Sequence, residues 1–162
     1  MAIIPVFIPH AGCPHQCVFC NQKTISGQQT ASSRDVEQQL ERYLQWIKPG
    51  PFNEAAFYGG AFTGLPADLQ TELFRPVDKL LAEGVIGSVR LSTRPDYIDA
   101  ARLELLQAHG VKTVELGVQS LDDNVLAAAE RGHQATDVYK AVSLLIQYGF
   151  DLGLQLMVGM PG

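Results

Sequence analysis

The chain has 162 residues, 46% of them hydrophobic and 18% charged, and a formal net charge of −5. No apolar run approaches the roughly 18 residues of a membrane-spanning helix, and the first ten residues lack the basic region and cleavage site of a secretory signal. The scattered Lys and Arg residues disfavour a nucleic-acid-binding surface. An odd number of cysteines, three, disfavours a disulfide framework, so a reducing, cytoplasmic location is predicted.

The first half of the chain predicts two strand–helix steps. Ile3 to Ile8 is a short apolar run typical of a strand, and a cysteine-containing loop follows it. Ser32 and Asp35 form an S-x-x-D helix start, and Pro49-Gly50 is expected to end that helix. The segment "EAAFYGG" predicts a second strand. The helical apolar spacing that follows contains Pro76, which is expected to kink or break the helix.

The second half predicts three further strands. "SVRLST" is the third, and a helix from Asp99 to His109 follows it. "VKTVELGVQS" is the fourth, followed by a short helix over 122–131, capped by Ser120, and a longer one from Thr136. "DLGLQLMVGMPG" is the fifth. Strands that alternate with helices in this way indicate a parallel α/β sheet.

The later strands alternate between apolar residues and small or polar ones. In the fourth strand Val114, Leu116 and Val118 share one face, and Glu115, Gly117 and Gln119 share the other. A parallel sheet covered on both faces reads as continuous apolar runs. The pattern therefore favours a partial TIM-type barrel of parallel β–α units whose interior holds a polar ligand. A solvated face and a doubly wound sheet stay as alternatives, although no dinucleotide-binding or P-loop glycine motif is present.

All three cysteines lie in "GCPHQCVFCNQ", where Cys13, Cys17 and Cys20 read C-x₃-C-x₂-C. Two metal sites fit this cluster. A structural zinc site could add His10 or His15 as the fourth ligand. A [4Fe–4S] cluster takes one thiolate per iron, so three cysteines leave one iron open to a small molecule. An open coordination position is typical of a reactive metal site.

This motif, with an aromatic residue before its last cysteine, resembles the signature of the radical S-adenosylmethionine (radical SAM) superfamily. Further stretches are similar to the branch that contains the Elp3 family and the oxygen-independent coproporphyrinogen oxidases. They are "FYGGAFTGLP", "STRPDYID", "ELGVQSLDDNVL…ERGH" and "LMVGMPG". These matches follow the family's order and span nearly the whole chain.

The resemblance implies a radical SAM enzyme in which the three cysteines hold the cluster and SAM chelates its open iron. An electron donor such as flavodoxin or ferredoxin would drive cleavage of SAM to a 5′-deoxyadenosyl radical, which abstracts hydrogen from an unknown substrate, an RNA or a small molecule. Relatives have six β–α units, so residues 1–162 are expected to form a core domain that lacks its C-terminal part. An exposed sheet edge is expected at the fifth strand.

The resemblance also implies a set of residues that contact SAM. Gly59 and Gly60 would pass its methionine part, and their alternative role is a turn that ends the strand. Gln119 and Arg131 match SAM contacts in relatives, with Arg131 suited to the carboxylate. The other proposed contacts are Phe19, Asn21, Ser92 and Glu115.

Each of the remaining contacts has a structural alternative. Arg131 could be a solvated cation at a helix end, and Phe19 could be a core residue. Ser92 stands where relatives often carry a glutamate for the ribose, so Glu115 could take that role or simply pair with Arg90. Two residues outside the proposed set are Arg94, which marks a strand exit where it could face the cavity, and His133, which is expected at the surface.

Overall fold

The computed structural model describes residues 2–8, 13, 15–20 and 31–161. Within these ranges five parallel strands form one sheet in the order β1 to β5. The strands are β1 (Ile3–Phe7), β2 (Glu54–Tyr58), β3 (Ser88–Thr93), β4 (Val111–Gln119) and β5 (Asp151–Leu156). The helices are α1 (Ser33–Leu44), α2 (Ala67–Ala82), α3 (Ala100–Ala108), α4 (Asp123–Ala128) and α5 (Ala135–Gln147). Single 3₁₀ turns follow β2 at Phe62–Gly64 and β3 at Pro95–Tyr97.

The strand order distinguishes this fold from a doubly wound sheet. A doubly wound sheet reverses its strand order at a switch point and carries helices on both faces. Here each strand pairs with the next one in sequence, so crossovers of one hand place the helices on the same face. The other face, which we call the inner face, is left for the small and polar side chains. The predicted partial barrel of β–α units is confirmed.

The hydrophobic core lies between the sheet and the helices. The apolar side chains of β4 predicted to share one face, Val114, Leu116 and Val118, are fully buried there. Phe57, Phe62 and Phe74 form an aromatic cluster with ring centroids 4.8 to 5.5 Å apart. Each such buried side chain stabilises the fold by about 1.5–3 kcal/mol. Because successive residues of a strand point to opposite faces of the sheet, burial of the apolar set in this core places the residues between them on the inner face.

Helix boundaries confirm some sequence predictions and correct others. Ser32 caps α1 in the predicted capping box with Asp35. The cap of α4 is Asp122 rather than Ser120, because the carboxylate of Asp122 accepts from the backbone N–H groups of residues 124 and 125. Pro76 neither breaks nor ends α2. The buried residues on both sides of it, including Phe74 and Val77, hold the helix against the sheet despite the lost hydrogen bond.

The prediction for α4 extended it to residue 131, which is wrong. The helix ends at Ala128, because Glu130 and Gly132 adopt positive φ angles of 52° and 77° that a helix does not accommodate. Arg131 therefore lies in the loop between α4 and α5.

The fifth strand is less well covered than its neighbours. Leu154 and Leu156 alternate with small and polar residues as the apolar residues of β4 do, yet they are 49% and 64% exposed. Among the described residues β5 pairs only with β4, so its other edge is open, as predicted. The described part of the chain has no helix that is both long and apolar enough to cross a membrane.

Candidate functional site

A cavity of about 430 Å³ opens on the inner face, where the strands end. Nine of the eleven residues proposed from the sequence line it: Cys13, Cys17, Phe19, Cys20, Gly59, Gly60, Ser92, Gln119 and Arg131. Asn21 lies outside the described residues. Glu115 lies just beyond the cavity wall. The carboxyl ends of parallel strands lie along the same edge of a sheet. Segments that are distant in sequence therefore meet here.

Backbone hydrogen bonds hold the cysteine loop, one within the loop and one to the residue after α4. The N–H of Cys20 donates to the carbonyl of Cys17 (2.9 Å), and the N–H of Val18 donates to the carbonyl of Ala129 (3.1 Å). The Cys17 side chain is buried, whereas Cys13 and Cys20 are half-buried. Phe19 is 37% exposed, so its alternative role as a core residue is wrong. No group of three or more His, Cys, Asp or Glu side chains within the described ranges is arranged around a single metal ion.

Arg131 is a buried cation directed at the cysteine loop. It is only 7% exposed, so the alternative of a solvated helix-end cation is wrong. Its Nη1 lies 3.6 Å from the sulfur of Cys17, and its Nη2 donates to the carbonyl of Gly117. A Cβ on Gly117 would lie 3.0 Å from that Nη2, so glycine leaves room for the guanidinium. The Nε of Arg131 is buried and has no hydrogen-bond partner in the described part of the chain.

A second buried guanidinium, that of Arg94, faces the same loop. Its Nε and Nη2 donate to the two carboxylate oxygens of Asp96 at 2.9 and 3.0 Å. Nη2 also donates to the carbonyl of Arg131 (2.8 Å), and Nη1 lies 3.9 Å from the sulfur of Cys13. Burial opposes the charge of Arg94, but Asp96 and the cysteines raise its pKa. The sequence marked Arg94 as a strand exit and left it out of the proposed contacts.

Gly59 has a structural reason to be glycine. Its φ is +106°, which other residues rarely adopt, and a Cβ at this position would run into the carbonyl of Ile8. The end of β1 thus approaches the end of β2 closely. Gly59 therefore forms a turn that ends the strand, which was the alternative role predicted for it. The proposed contact with SAM stays a prediction.

Gln119 ends β4 in a strained conformation. Its φ is +71°, and the N–H of Ser120 donates to the carbonyl of Val118 (2.9 Å). A hydrogen bond between residues i and i+2 around a positive φ is a γ-turn of the rare, strained kind. Such conformations cost about 1–3 kcal/mol and cluster at functional sites. In this turn the Gln119 side chain lines the cavity.

Glu115 belongs to a polar network farther along the inner face. It accepts from Nη1 of Arg90 (2.9 Å) and from the amide of Gln155 (2.9 Å). Pairing with Arg90, the alternative given for Glu115, is therefore confirmed. The network still reaches the cavity wall, because the hydroxyl of Ser92 lies 3.5 Å from the Glu115 carboxylate. Glu115 itself lines a neighbouring cavity of about 510 Å³, which extends towards the amino ends of the strands.

Sequence reasoning missed several residues of the site. Tyr58 lines the cavity, and burial together with the nearby Glu115 raises its pKa. The strand-2 glycine motif could have indicated Tyr58, since the inner-face period of β2 includes it. His15 was named only as a possible zinc ligand, like His10, which lies outside the described residues. Its Nε2 lies 3.7 Å from an oxygen of Asp96, and its pKa is lowered by burial and by Arg94. No signal in the sequence indicates this contact.

His133 was expected at the surface, which is wrong, because it is 6% exposed. Its burial, and then the charges of Arg131 and Arg94, lower its pKa to about 4. Neither ring nitrogen has a hydrogen-bond partner in the described ranges. A neutral imidazole thus lies beside the two buried guanidiniums.

The side chains of the cavity fit an anionic iron–sulfur cluster and a ligand that carries a carboxylate. Three thiols from one short loop are the usual donors to such a cluster. Two guanidiniums lie within 4 Å of two of the sulfurs, and their positive charge complements that of an anionic cluster. The unpartnered Nε of Arg131 remains available to an oxygen of a bound molecule.

Comparisons with known proteins agree with this assignment. The family model described as the radical SAM superfamily matches residues 7–162. An uncharacterized protein of Methanocaldococcus jannaschii, MJ0486, is 28% identical over 98% of this chain and 52% of its own length. The chain thus spans about half or less of the curated relatives that it matches.

Two solved structures share the fold. Elp3 from Methanocaldococcus infernus, with its N-terminus deleted, has a TM-score of 0.72 and 22% identity over 99% of this chain and 38% of its own. Coproporphyrinogen III oxidase (HemN) from Escherichia coli, titled a radical SAM enzyme, has a TM-score of 0.72 and 21% identity over the same shares. The two branches that the sequence motifs resemble are therefore both represented among its structural neighbours.

Proposed function

The chain belongs to the radical SAM superfamily, and we propose that Cys13, Cys17 and Cys20 hold a [4Fe–4S] cluster beside a SAM-binding cavity. When bound, the cluster supplies the electron that cleaves SAM to methionine and a 5′-deoxyadenosyl radical, which abstracts hydrogen from substrate. Members of this superfamily are enzymes, and we propose the same for the protein to which these residues belong. The chain's own residues place the ligands and keep water away from the radical.

The observation that carries this proposal is the arrangement around Arg131. Its guanidinium lies between the Cys17 sulfur and the carbonyl of Gly117, and its buried Nε lacks a partner among the described residues. A buried unpartnered donor costs about 1–3 kcal/mol unless a ligand satisfies it. The carboxylate of the methionine part of SAM supplies such an acceptor, through a charge-assisted hydrogen bond.

We assign the remaining contacts by their places in the cavity. Gly59 and Gly60 would adjoin the methionine part and Phe19 the adenine, whereas Asn21, outside the described residues, is assigned to the adenine by the family resemblance alone. Gln119 is directed into the cavity by its γ-turn. For the ribose hydroxyls we propose Ser92, with Glu115 behind it, since their side chains lie 3.5 Å apart. Ser92 on β3 is shorter than the glutamate of relatives and is neutral, so the carboxylate of Glu115 on β4 would act together with it.

We propose that the electron donor is a small redox protein of the flavodoxin or ferredoxin type, and that the protein acts in the cytoplasm. The substrate is either an RNA or a small molecule. We further propose that residues 1–162 are the radical SAM core of a longer protein, because the curated relatives extend well beyond it.

Reconstitution with iron and sulfide under anaerobic conditions tests this function. We expect about four iron and four sulfide per chain and formation of 5′-deoxyadenosine when SAM and a strong reductant are added. The variant R131Q should keep its iron but bind SAM about tenfold more weakly. A colourless protein that takes up one zinc ion instead would contradict the proposal and support a non-catalytic metal-binding module.

A further inference from the structure

The buried side chain of Arg94 connects the cysteine loop to two other segments of the barrel. Arg94 leaves the end of β3 and is 3% exposed. Its guanidinium contacts three separate segments: the 3₁₀ turn through Asp96, the α4–α5 loop through the carbonyl of Arg131, and the cysteine loop through the sulfur of Cys13. These contacts involve all three nitrogen atoms of the planar guanidinium, and the single amino group of a lysine could not reproduce them.

The cysteine loop also approaches this pair through His15. Its Nε2 lies 3.7 Å from the Asp96 oxygen that also accepts from Arg94. The imidazole lies over Gly132, where any Cβ would overlap the ring. The Arg94–Asp96 pair therefore joins the loop that carries the cysteines to the loop that carries Arg131.

Arg94 and Arg131 differ in whether a carboxylate neutralises their positive charge. Arg94 forms two hydrogen bonds to one carboxylate, so the pair is close to neutral. Arg131 makes no ion pair within the described residues, and its positive charge stays available to a ligand. The carbonyl of Arg131 accepts from Arg94, so Arg94 fixes the backbone from which the Arg131 side chain extends.

We infer that Arg94 and Asp96 are a positioning pair, which holds the cluster loop and Arg131 in register and keeps the net charge beside the Cys13 ligand close to zero. This inference rests on the proposed cluster. Residues behind metal ligands typically change metal affinity 10- to 100-fold when they are replaced. Loss of Arg94 also leaves the Asp96 carboxylate unpaired near a thiolate, which makes the cluster harder to reduce.

The experiment compares R94Q with R102Q, its matched control. Arg102 also pairs with an aspartate, Asp99, and also lies over Tyr97, with its guanidinium carbon 6.0 Å from the ring centre against 5.8 Å for Arg94. Its other hydrogen bond goes to the carbonyl of Thr63, away from the cysteine loop. A general effect of losing an arginine near Tyr97 would therefore appear in both variants.

After reconstitution, R94Q should release iron to a chelator about tenfold faster than the unchanged protein and have a more negative cluster potential. The double variant R94Q/D96N should recover the potential, because the net charge is restored, but not the iron retention. The R94K variant should keep the potential and lose retention. R102Q should match the unchanged protein in both.

One measurement needs no cluster. In the protein without metal, hydrogen exchange at the Val18 amide, which donates to Ala129, should quicken in R94Q and not in R102Q. If the unchanged protein loads no iron and sulfide, the proposed function fails, whereas this exchange result can still hold. If it loads normally and R94Q matches it in iron retention, potential and Val18 exchange, the positioning role is wrong.

Discussion

Two parts of the inner face use the same kinds of side chain in opposite ways. In the network towards the amino ends of the strands, Arg90 directs Nε, Nη1 and Nη2 at Glu54 and Glu115. In the cavity at the other end, Arg131 makes no ion pair within the described ranges and keeps an unpartnered Nε. A buried cation whose charge is neutralised supports the structure, whereas one left open can bind a ligand.

The strongest test of this comparison removes one cysteine. Because a cluster needs all three thiolates, C17S should lose nearly all of its iron after reconstitution. S88A removes a hydroxyl of the Arg90 network, which donates to Glu54 at 2.9 Å, and should load iron normally. Iron and sulfide analysis measures both. Full iron loading of C17S would remove the basis for a cluster in this cavity.

Replacing Arg90 should mainly lower the free energy of unfolding, whereas replacing Arg131 should mainly weaken ligand binding. R90L leaves two half-buried carboxylates without their shared partner, so the free energy of unfolding should fall by about 3 kcal/mol. R131L orphans no described carboxylate and should cost less, while it weakens SAM binding. Urea denaturation and SAM titration measure the two effects. Equal losses of stability would contradict the comparison.

Acid should weaken the fold through His133. Its pKa is about 4 in the folded protein and 6.5 ordinarily, so between these values the unfolded chain binds more protons. Stability is therefore complete above pH 6.5 and declines as the pH falls towards 4, by about 2 kcal/mol between pH 7 and pH 5. Urea denaturation at pH 7 and pH 5 measures this decline. In H133Q the decline should be smaller by the contribution of His133. An unchanged decline in H133Q would assign it to other groups.

The smallest effect is expected at the γ-turn. Glycine adopts positive φ without strain, so Q119G should raise the free energy of unfolding by up to about 1 kcal/mol. The same change removes a side chain that lines the cavity and should weaken SAM binding. Thermal denaturation and SAM titration together would show a gain of stability with a loss of affinity. A loss of stability would indicate that the side chain supports the turn.

The sequence predicted what depends on local periodicity and motif spacing. Alternation in β4 located Glu115, Gly117 and Gln119 on the inner face, and S-x-x-D located the start of α1. The errors at α4 have local causes, the cap at Asp122 and the positive φ angles after the helix, whereas the error in α2 comes from tertiary contacts. Pro76 was expected to break α2, but buried neighbours hold that helix together.

The missed parts of the site have a similar cause. Arg94 reaches Cys13 across 81 positions of sequence, and no local pattern encodes such a contact. Burial of His133 depends likewise on how the α4–α5 loop folds, through the positive φ angles on either side of Arg131. Roles assigned through the family resemblance, such as those of Ser92 and Gly60, stay predictions until ligand binding is measured.

The contact between His15 and Gly132 constrains how this sequence can diverge. The imidazole occupies the space that any side chain at position 132 would need. A mutation of Gly132 would force the imidazole of His15 out of this space. Such a mutation would also place a side chain at a φ of +77°, which residues other than glycine rarely adopt, so glycine is expected to persist at position 132 even when residue 15 is smaller.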